Sequence, residues 1–100
     1  MSRSLNAARW KKIGGARGGW PISEARYSRS NGPTCTAVVA PRHWFGAHMV
    51  FSGRARVGAF YAYKVVNPDG TLHWAELAET ERGAKTMAAR TLRACGIQRG

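Results

Sequence analysis

The side chains that could hold a metal ion are few in this sequence, and they are scattered. The histidines are His43, His48 and His73, and the two cysteines, Cys35 and Cys95, lie far apart in the chain. Zinc sites that can be inferred from spacing contain short Cys-x2-Cys or His-x3-His pairs, and neither is present. We therefore predict no metal site. We expect both cysteines to be small buried hydrophobic residues, since nothing in the sequence indicates the oxidising compartment that a disulfide would require.

The sequence also contains no complete motif of a nuclease or of a phosphate-binding loop. A metal-dependent nuclease needs clustered carboxylates. Pro68-Asp69 followed by Glu76 is similar to part of a nuclease signature, but Ala78 stands where the signature has a lysine. The glycines at 14–19 lack the Gly-Lys-Ser/Thr ending of a phosphate-binding loop. We predict a protein that is not an enzyme and uses no cofactor. The catalytic alternatives are a metal-dependent nuclease and a ribonuclease that uses histidine as acid and base.

Charge is the strongest functional signal. The chain has 16 Lys and Arg against 5 Asp and Glu, a formal net charge of +11. Residues 1–32 carry +6, residues 33–64 carry +4 and residues 65–100 carry +1. A long stretch with a single carboxylate indicates a surface that meets a polyanion, because solubility alone requires only interspersed charges. Most of the cations are arginines, which form bidentate contacts with phosphate and with guanine edges.

We therefore predict a non-catalytic nucleic-acid-binding protein whose Arg-rich surface contacts the phosphate backbone of DNA or RNA. If about six phosphates are neutralised, log K should fall against log salt with a slope near −5 on duplex DNA. The expected contacts are the N-terminal cations, a loop pair, the cations of the last helix and two tryptophans. They are Arg3, Arg9, Trp10, Lys11, Lys12, Arg17, Arg26, Arg29, Trp44, Arg54, Arg56, Arg82, Lys85, Arg90 and Arg93.

The alternative is a protein partner. A compact basic chain with Arg and Trp on its surface also suits a small inhibitor or accessory protein of a phage or mobile element. An anti-CRISPR-like protein, which would bind an acidic surface of a host nucleic-acid-processing complex, is one example. Protein binding depends on a few buried anchors, so Trp44→Ala alone should abolish it, whereas phosphate contacts share the affinity among many residues.

Length and hydropathy predict one small domain over residues 1–100, with a basic, Gly-rich segment at 1–20 that could be flexible. Hydrophobic residues make up 44% of the chain, enough for a core without metal or disulfide. No stretch reaches the roughly 18 apolar residues of a membrane span, so we expect a cytoplasmic protein without a membrane partner. The Arg- and Ser-rich start, Met1–Lys12, would also suit an organellar transit peptide.

The strand signals predict hairpins. Ala25–Ser30 and Thr34–Ala40 flank an Asn-Gly-Pro turn, and His43–Phe51 is a third candidate strand. The clearest hairpin spans Ala59–Leu77 around Asn67–Gly70, where Pro and Gly occupy positions that a type I turn prefers. With Val66 opposite Thr71, Tyr63 would face Trp74. That aromatic face would either pack against a helix or stack on nucleic-acid bases.

A helix is predicted from Glu81 to Cys95, capped by Thr80 and stopped by Gly96. Its apolar side at helical spacing contains Ala84, Met87, Ala88, Thr91, Leu92 and Cys95, and Arg82, Lys85, Arg90 and Arg93 lie opposite. We expect an α+β fold, an antiparallel sheet of four to five strands in hairpins with this amphipathic helix packed on it. A short basic helix at Ser4–Lys12, followed by a linker at Gly14–Trp20, would precede the sheet.

Overall fold

The chain forms one antiparallel sheet with one helix on it. The structure, a computed structural model, describes residues 10–15, 21–28, 34–46, 49–52 and 58–99. The five strands are neighbours in sequence order: β1 Lys11–Gly15, β2 Pro21–Ser28, β3 Thr34–Pro41, β4 Tyr61–Val66 and β5 Leu72–Ala78. A 3-10 helix, Arg42–Phe45, follows β3, and helix α1, Glu81–Arg99, follows β5. The predicted α+β fold is confirmed.

Helix α1 covers one face of the sheet. Successive side chains of a strand point to opposite faces, so alternate residues of β2, β3 and β4 meet the helix. Small alanines on both sides allow close approach, and Leu92 fills the space over the central strands. The buried residues of this core are Ala25, Cys35, Ala37, Val39, Tyr63, Val65, Ala78, Ala84, Ala88, Leu92 and Cys95. The predicted apolar side of the helix is thus confirmed.

The opposite face is partly covered by the chain between β3 and β4, which we call the strap (described residues 42–46, 49–52 and 58–60). Phe45 packs on Ile22, Val38 and Ala40. The amide of Arg42 donates to the carbonyl of Phe60 (2.8 Å), which joins the two ends of the strap. The predicted strand at His43–Phe51 is wrong, because the chain turns through the 3-10 helix and leaves it at a glycine with φ of 88°.

Strand β1 lies where the sequence predicted a helix and a linker. Lys11 and Lys12 pair with Glu24 and Ser23 of β2, and Gly14 pairs with Ile22. A two-turn helix is marginal in water, whereas an edge strand gains backbone hydrogen bonds from a neighbour that already exists. The helix prediction is therefore wrong for Lys11 and Lys12. Residues 1–9 and 16–20 lie outside the described residues.

The β4–β5 hairpin is confirmed, but its register differs from the prediction. The amide of Asn67 donates to the carbonyl of Thr71 (2.8 Å), so the loop has three residues, and Gly70 takes the left-handed conformation (φ 89°) that such a loop requires. An irregularity between Val65 and Val66 shifts the pairing once more. Val65 therefore faces Trp74. Two one-residue shifts return the side chains to their expected faces, because the side-chain period of a strand is two.

Helix α1 begins at a side-chain cap and runs further than predicted. Thr80 Oγ1 accepts a hydrogen bond from the amide of Gly83 (2.9 Å), and the Thr80 carbonyl accepts from the amide of Ala84 (2.9 Å). The cap is confirmed. Gly96 does not stop the helix, which extends to Arg99, because a single glycine weakens a helix by only about 1 kcal/mol relative to alanine.

Replacing Thr80 with alanine should lower the free energy of unfolding by about 1 kcal/mol, because the amide of Gly83 loses its acceptor. Thr86→Ala is the matched control. Its hydroxyl donates to the carbonyl of Arg82 within the helix (3.0 Å), a contact that adds little, so that variant should be neutral or slightly more stable. Urea denaturation measures both, and equal losses would show that the cap does not stabilise the helix.

Candidate nucleic-acid interface

The outer face of α1 carries the predicted helix cations, and we use this name for Arg82, Lys85, Arg90 and Arg93. Arg82 and Arg90 are exposed, and Lys85 and Arg93 are partly buried. At 100° per residue, Arg82, Arg90 and Arg93 lie about 120° to 160° from Ala88, in the middle of the buried side, whereas Lys85 lies only about 60° away and flanks that side. From Arg82 to Arg93 the helix rises about 16 Å. The sheet holds the helix fixed, so the spacing of these charges is fixed as well.

Lys85 connects the helix to the first strand. Its Nζ lies 3.3 Å from Glu81 Oε2 and 5.8 Å from the centre of the Trp10 ring. Trp10 packs against the core beneath the helix and directly precedes Lys11 and Lys12, both exposed on β1. The register puts Lys12 on the helix side, opposite Ser23, and Lys11 on the other side. Lys12 on β1 and the cations of the outer face of α1 therefore lie on the same side of the sheet and form one basic region.

The carboxylates of this chain are held by contacts within the protein. All five lie in described residues, and four of them have contacts that the geometry defines. Glu24 pairs with Arg26 (3.3 Å), and Glu81 with Lys85. Asp69 accepts hydrogen bonds from the amide (3.0 Å) and the hydroxyl (2.6 Å) of Thr71 within the turn. Four carboxylates thus have ion-pair or hydrogen-bond partners within the chain, and the cations in excess of them remain at the surface.

Glu76 belongs to a polar cluster between the sheet and the helix. Tyr63 Oη donates to Glu76 Oε1 (2.9 Å), and Trp74 Nε1 donates to the same oxygen (3.1 Å). Thr91 Oγ1 of the helix lies 3.1 Å from Tyr63 Oη. Burial, with the Glu76 contact, raises the pKa of Tyr63 to about 12. Because Tyr63 is only 1% exposed, the predicted stacking of bases on it is excluded by its position in the core.

The raised pKa of Tyr63 predicts a loss of stability at high pH. An unfolded tyrosine titrates near 10 and the folded one near 12, so between these values only the unfolded state has lost the proton. The free energy of unfolding should therefore fall by about 2 kcal/mol from pH 10 to 12. Tyr63→Phe should remove most of this fall in a pH series of urea titrations. The pKa of Tyr61 is also raised, through burial and then Glu81, which leaves a smaller residual fall. An unchanged fall in the variant would contradict the assignment.

The face opposite the helix carries other cations and several exposed apolar groups. Arg26 and Lys64 are on this side, since they pair with Thr36 and Val38 rather than with the residues beneath the helix. In the strap, Trp44 is 41% exposed, Val50 81% and Phe60 60%. Trp44 stacks edge to face on Phe45 (5.1 Å between ring centres), and Phe45 does the same on Phe51 (5.4 Å).

An open cleft of about 540 Å³ lies within the strap. It is lined by Arg42, His43, Gly46, Met49, Phe51, Gly58, Ala59 and Phe60. Among these described lining residues the charged group is a cation, and the remainder are apolar, aromatic or histidine. The cleft therefore fits an apolar group that is accompanied by negative charge.

The structure brings part of the predicted site together and separates another part. The helix and the helix side of β1 carry Trp10, Lys12, Arg82, Lys85, Arg90 and Arg93, whereas Lys11, Arg26 and Trp44 lie on the other face. Arg3, Arg9, Arg17, Arg29, Arg54 and Arg56 lie outside the described residues. Sequence reasoning missed Arg42, Lys64, Val50 and Phe60. A strand pattern assigned to His43–Phe51 concealed the strap, and the exposure of Phe60 had no signal in the sequence.

Within the described ranges, no three side chains of His, Cys, Asp or Glu are grouped so as to hold a metal ion. Across the same residues, no helix has the length and apolar character that a membrane crossing needs. Comparisons of the chain with protein-family models, with curated proteins and with solved structures give no match. The fold and the site define a small basic α+β protein.

Proposed function

We propose that this protein binds nucleic acid in the cytoplasm without catalysis, through phosphate contacts from the outer face of α1 and the adjoining β1 edge. The observation that carries the proposal is the separation of charge. Four of the five carboxylates are held in internal contacts, while Arg82 and Arg90 project from the helix into solvent. Arginines on a rigid helix are suited to phosphate because their planar donors form bidentate contacts.

A duplex is the favoured form of nucleic acid. The cations of the outer face are spread along about 16 Å of the helix. The major groove of DNA is about 12 Å wide and accommodates an α-helix, whose diameter with side chains is about 10 to 12 Å. Recognition of single strands depends on exposed aromatic side chains beside the cations. On the helix side of the sheet, Tyr63 is buried and Trp10 is partly buried beneath Lys85. Trp74 is 42% exposed on that side, but it lies on β5, the edge strand furthest from β1, and its Nε1 is hydrogen-bonded to Glu76. Backbone contact with a duplex needs no such stacking.

The test is equilibrium binding of the full chain to labelled duplex DNA, duplex RNA and single strands across about 50 to 300 mM salt. We expect duplex binding with a log-log slope near −5, for about six phosphate contacts. Affinity weaker than about 1 µM on every substrate at the lowest salt would overturn the proposal. A clear preference for single strands would contradict the assignment of the duplex.

A second candidate function, the inhibitor or accessory protein, is supported by the strap. Trp44, Val50 and Phe60 are large, apolar and exposed, which is the composition of a protein-binding patch. Arg42 and His43 line the same cleft, so the complementary partner is an acidic protein surface with an apolar group. An enzyme complex that processes nucleic acid fits this description.

The two functions separate in one set of variants. If the strap is the functional surface, Trp44→Ala and Phe60→Ala should each weaken partner binding by about 30-fold or more, as anchors do, and leave duplex binding unchanged. Leu72→Ala, which trims an exposed apolar residue at the hairpin, is the control. DNA cleavage by a purified CRISPR effector complex is a direct assay. Absence of inhibition by the unmodified chain would contradict the anti-CRISPR-like example.

A further inference from the structure

The two cysteines meet in the core although they are far apart in sequence. Cys35 is the second residue of β3, and Cys95 lies in the last part of α1, 60 residues later. Their Sγ atoms are 2.6 Å apart, closer than two sulfur atoms in packing contact and about 0.5 Å longer than a covalent S–S bond. Both residues are fully buried, as expected for small hydrophobic side chains. A helix on a central strand thus holds two thiols almost at bonding distance.

We propose that Cys35 and Cys95, which are free thiols in the structure, close to an intramolecular disulfide when the surrounding glutathione pool becomes oxidised, so that the pair is an oxidation site for small-molecule disulfides such as oxidised glutathione. One cysteine thiolate attacks glutathione disulfide, forms a mixed disulfide and releases one reduced glutathione. The second cysteine then displaces the remaining glutathione and closes the protein disulfide. The two cysteine thiols give up two electrons and two protons, and one glutathione disulfide accepts them and becomes two molecules of reduced glutathione.

The hydrogen bond from Cys95 to Asn67 should be lost when the two cysteines are oxidised. Cys95 Sγ donates to Asn67 Oδ1 at 3.4 Å, and Asn67 Nδ2 donates to Thr71 Oγ1 at 3.0 Å in the hairpin turn. A disulfide sulfur has no proton to donate, so oxidation removes the contact between the helix and Asn67. The side-chain amide of Asn67 therefore reports the redox state of a bond in the core.

Access to the site requires motion of the helix. Because neither sulfur is exposed, the oxidant reaches a thiol only when α1 opens from the sheet. The rate of oxidation should accordingly rise in urea concentrations below the unfolding midpoint. Once formed, the bond closes a loop of 60 residues and ties α1 to β3, which stabilises the fold mainly by restricting the unfolded chain.

The experiment incubates the reduced full chain in glutathione buffers of increasing oxidised fraction. We expect a monomer that has lost the mass of two hydrogen atoms, resists alkylation and melts about 10 °C or more above the reduced chain. Loss of the Cys95 donor should also shift the Asn67 side-chain amide resonance. Cys35→Ala and Cys95→Ala, each with one thiol, should gain at most one glutathione and show no such rise.

Two outcomes would overturn the proposal. In the first, both thiols of the unmodified chain remain open to alkylation in the most oxidised buffer, even in urea just below the midpoint. In the second, oxidation yields only glutathione adducts or linked dimers. The readouts are mass and melting temperature rather than nucleic-acid binding, so this result is independent of the proposed function.

Discussion

Reversing the charge of Arg82 and Arg90 together should weaken binding to duplex nucleic acid by about 100-fold at roughly 0.1 M salt. Each phosphate contact multiplies the affinity by about 10 at this salt concentration, through counterion release. Loss of two contacts therefore accounts for most of the effect, and two glutamates facing phosphate add repulsion. The log-log slope should become less steep by about two. Arg82→Glu/Arg90→Glu should fold normally, because both side chains are exposed.

The matched control separates a local contact from the overall charge of the protein. Arg42→Glu/Lys64→Glu changes the net charge by the same amount on the opposite side, where Lys64 pairs across the strands with Val38 and Arg42 belongs to the strap. If α1 contacts the nucleic acid, this control should lose less than about 5-fold in affinity and keep its salt slope. Fluorescence anisotropy across the salt series measures both variants. Equal losses would show that binding depends on net charge and not on the helix face.

Leu92→Ala should destabilise the fold more than the loss of the helix cap at Thr80 does. Leu92 is 1% exposed and, among the side chains of α1 that the structure describes, is the largest aliphatic one in the core. Its truncation removes buried apolar surface and leaves a cavity, which costs about 3 kcal/mol. Domains of this size are stable by only about 5 to 15 kcal/mol, so the melting temperature should fall by about 15 °C.

Leu72→Ala is the matched control for this change, since it removes the same atoms from a residue that is 49% exposed at the start of β5. We expect a loss below about 1 kcal/mol. Urea denaturation with an unchanged m-value would show that both variants alter stability and not the compactness of the end states. Equal losses at the two positions would contradict the packing of α1 on the sheet.

The helix and the central strand beneath it were both predicted from the sequence. The apolar spacing from Ala84 to Cys95 placed the helix, because burial on one side imposes that spacing. The β-branched and apolar composition of Thr34–Ala40 placed the central strand, which is buried on both faces over most of its length. The register of β4 with β5 could not be predicted from the sequence. A three-residue loop and an irregularity at Val65/Val66 each shift the pairing by one, and neither is specified by the turn residues alone.

Strand β1 and the course of the strap also could not be predicted from local sequence patterns. Lys11–Gly15 has two lysines and two glycines, so its strand conformation comes from pairing with β2 and not from its own preference. The aromatic residues around His43–Phe51 are typical of a strand, yet they cover the second face of the sheet and leave Trp44 exposed. This apolar patch, on which the second candidate function rests, is a product of the fold.

The sequence by itself determined the α+β class, the β4–β5 hairpin, the capped amphipathic helix and the excess of positive charge, because each follows from the periodicity or composition of a short segment. Tertiary structure decided which cations share a surface, which carboxylates are held internally and which aromatic residues reach solvent. It also decided that Cys35 and Cys95 touch. These are relations between segments far apart in the chain, set by how the strands pair and where the helix packs, and no local pattern contains them.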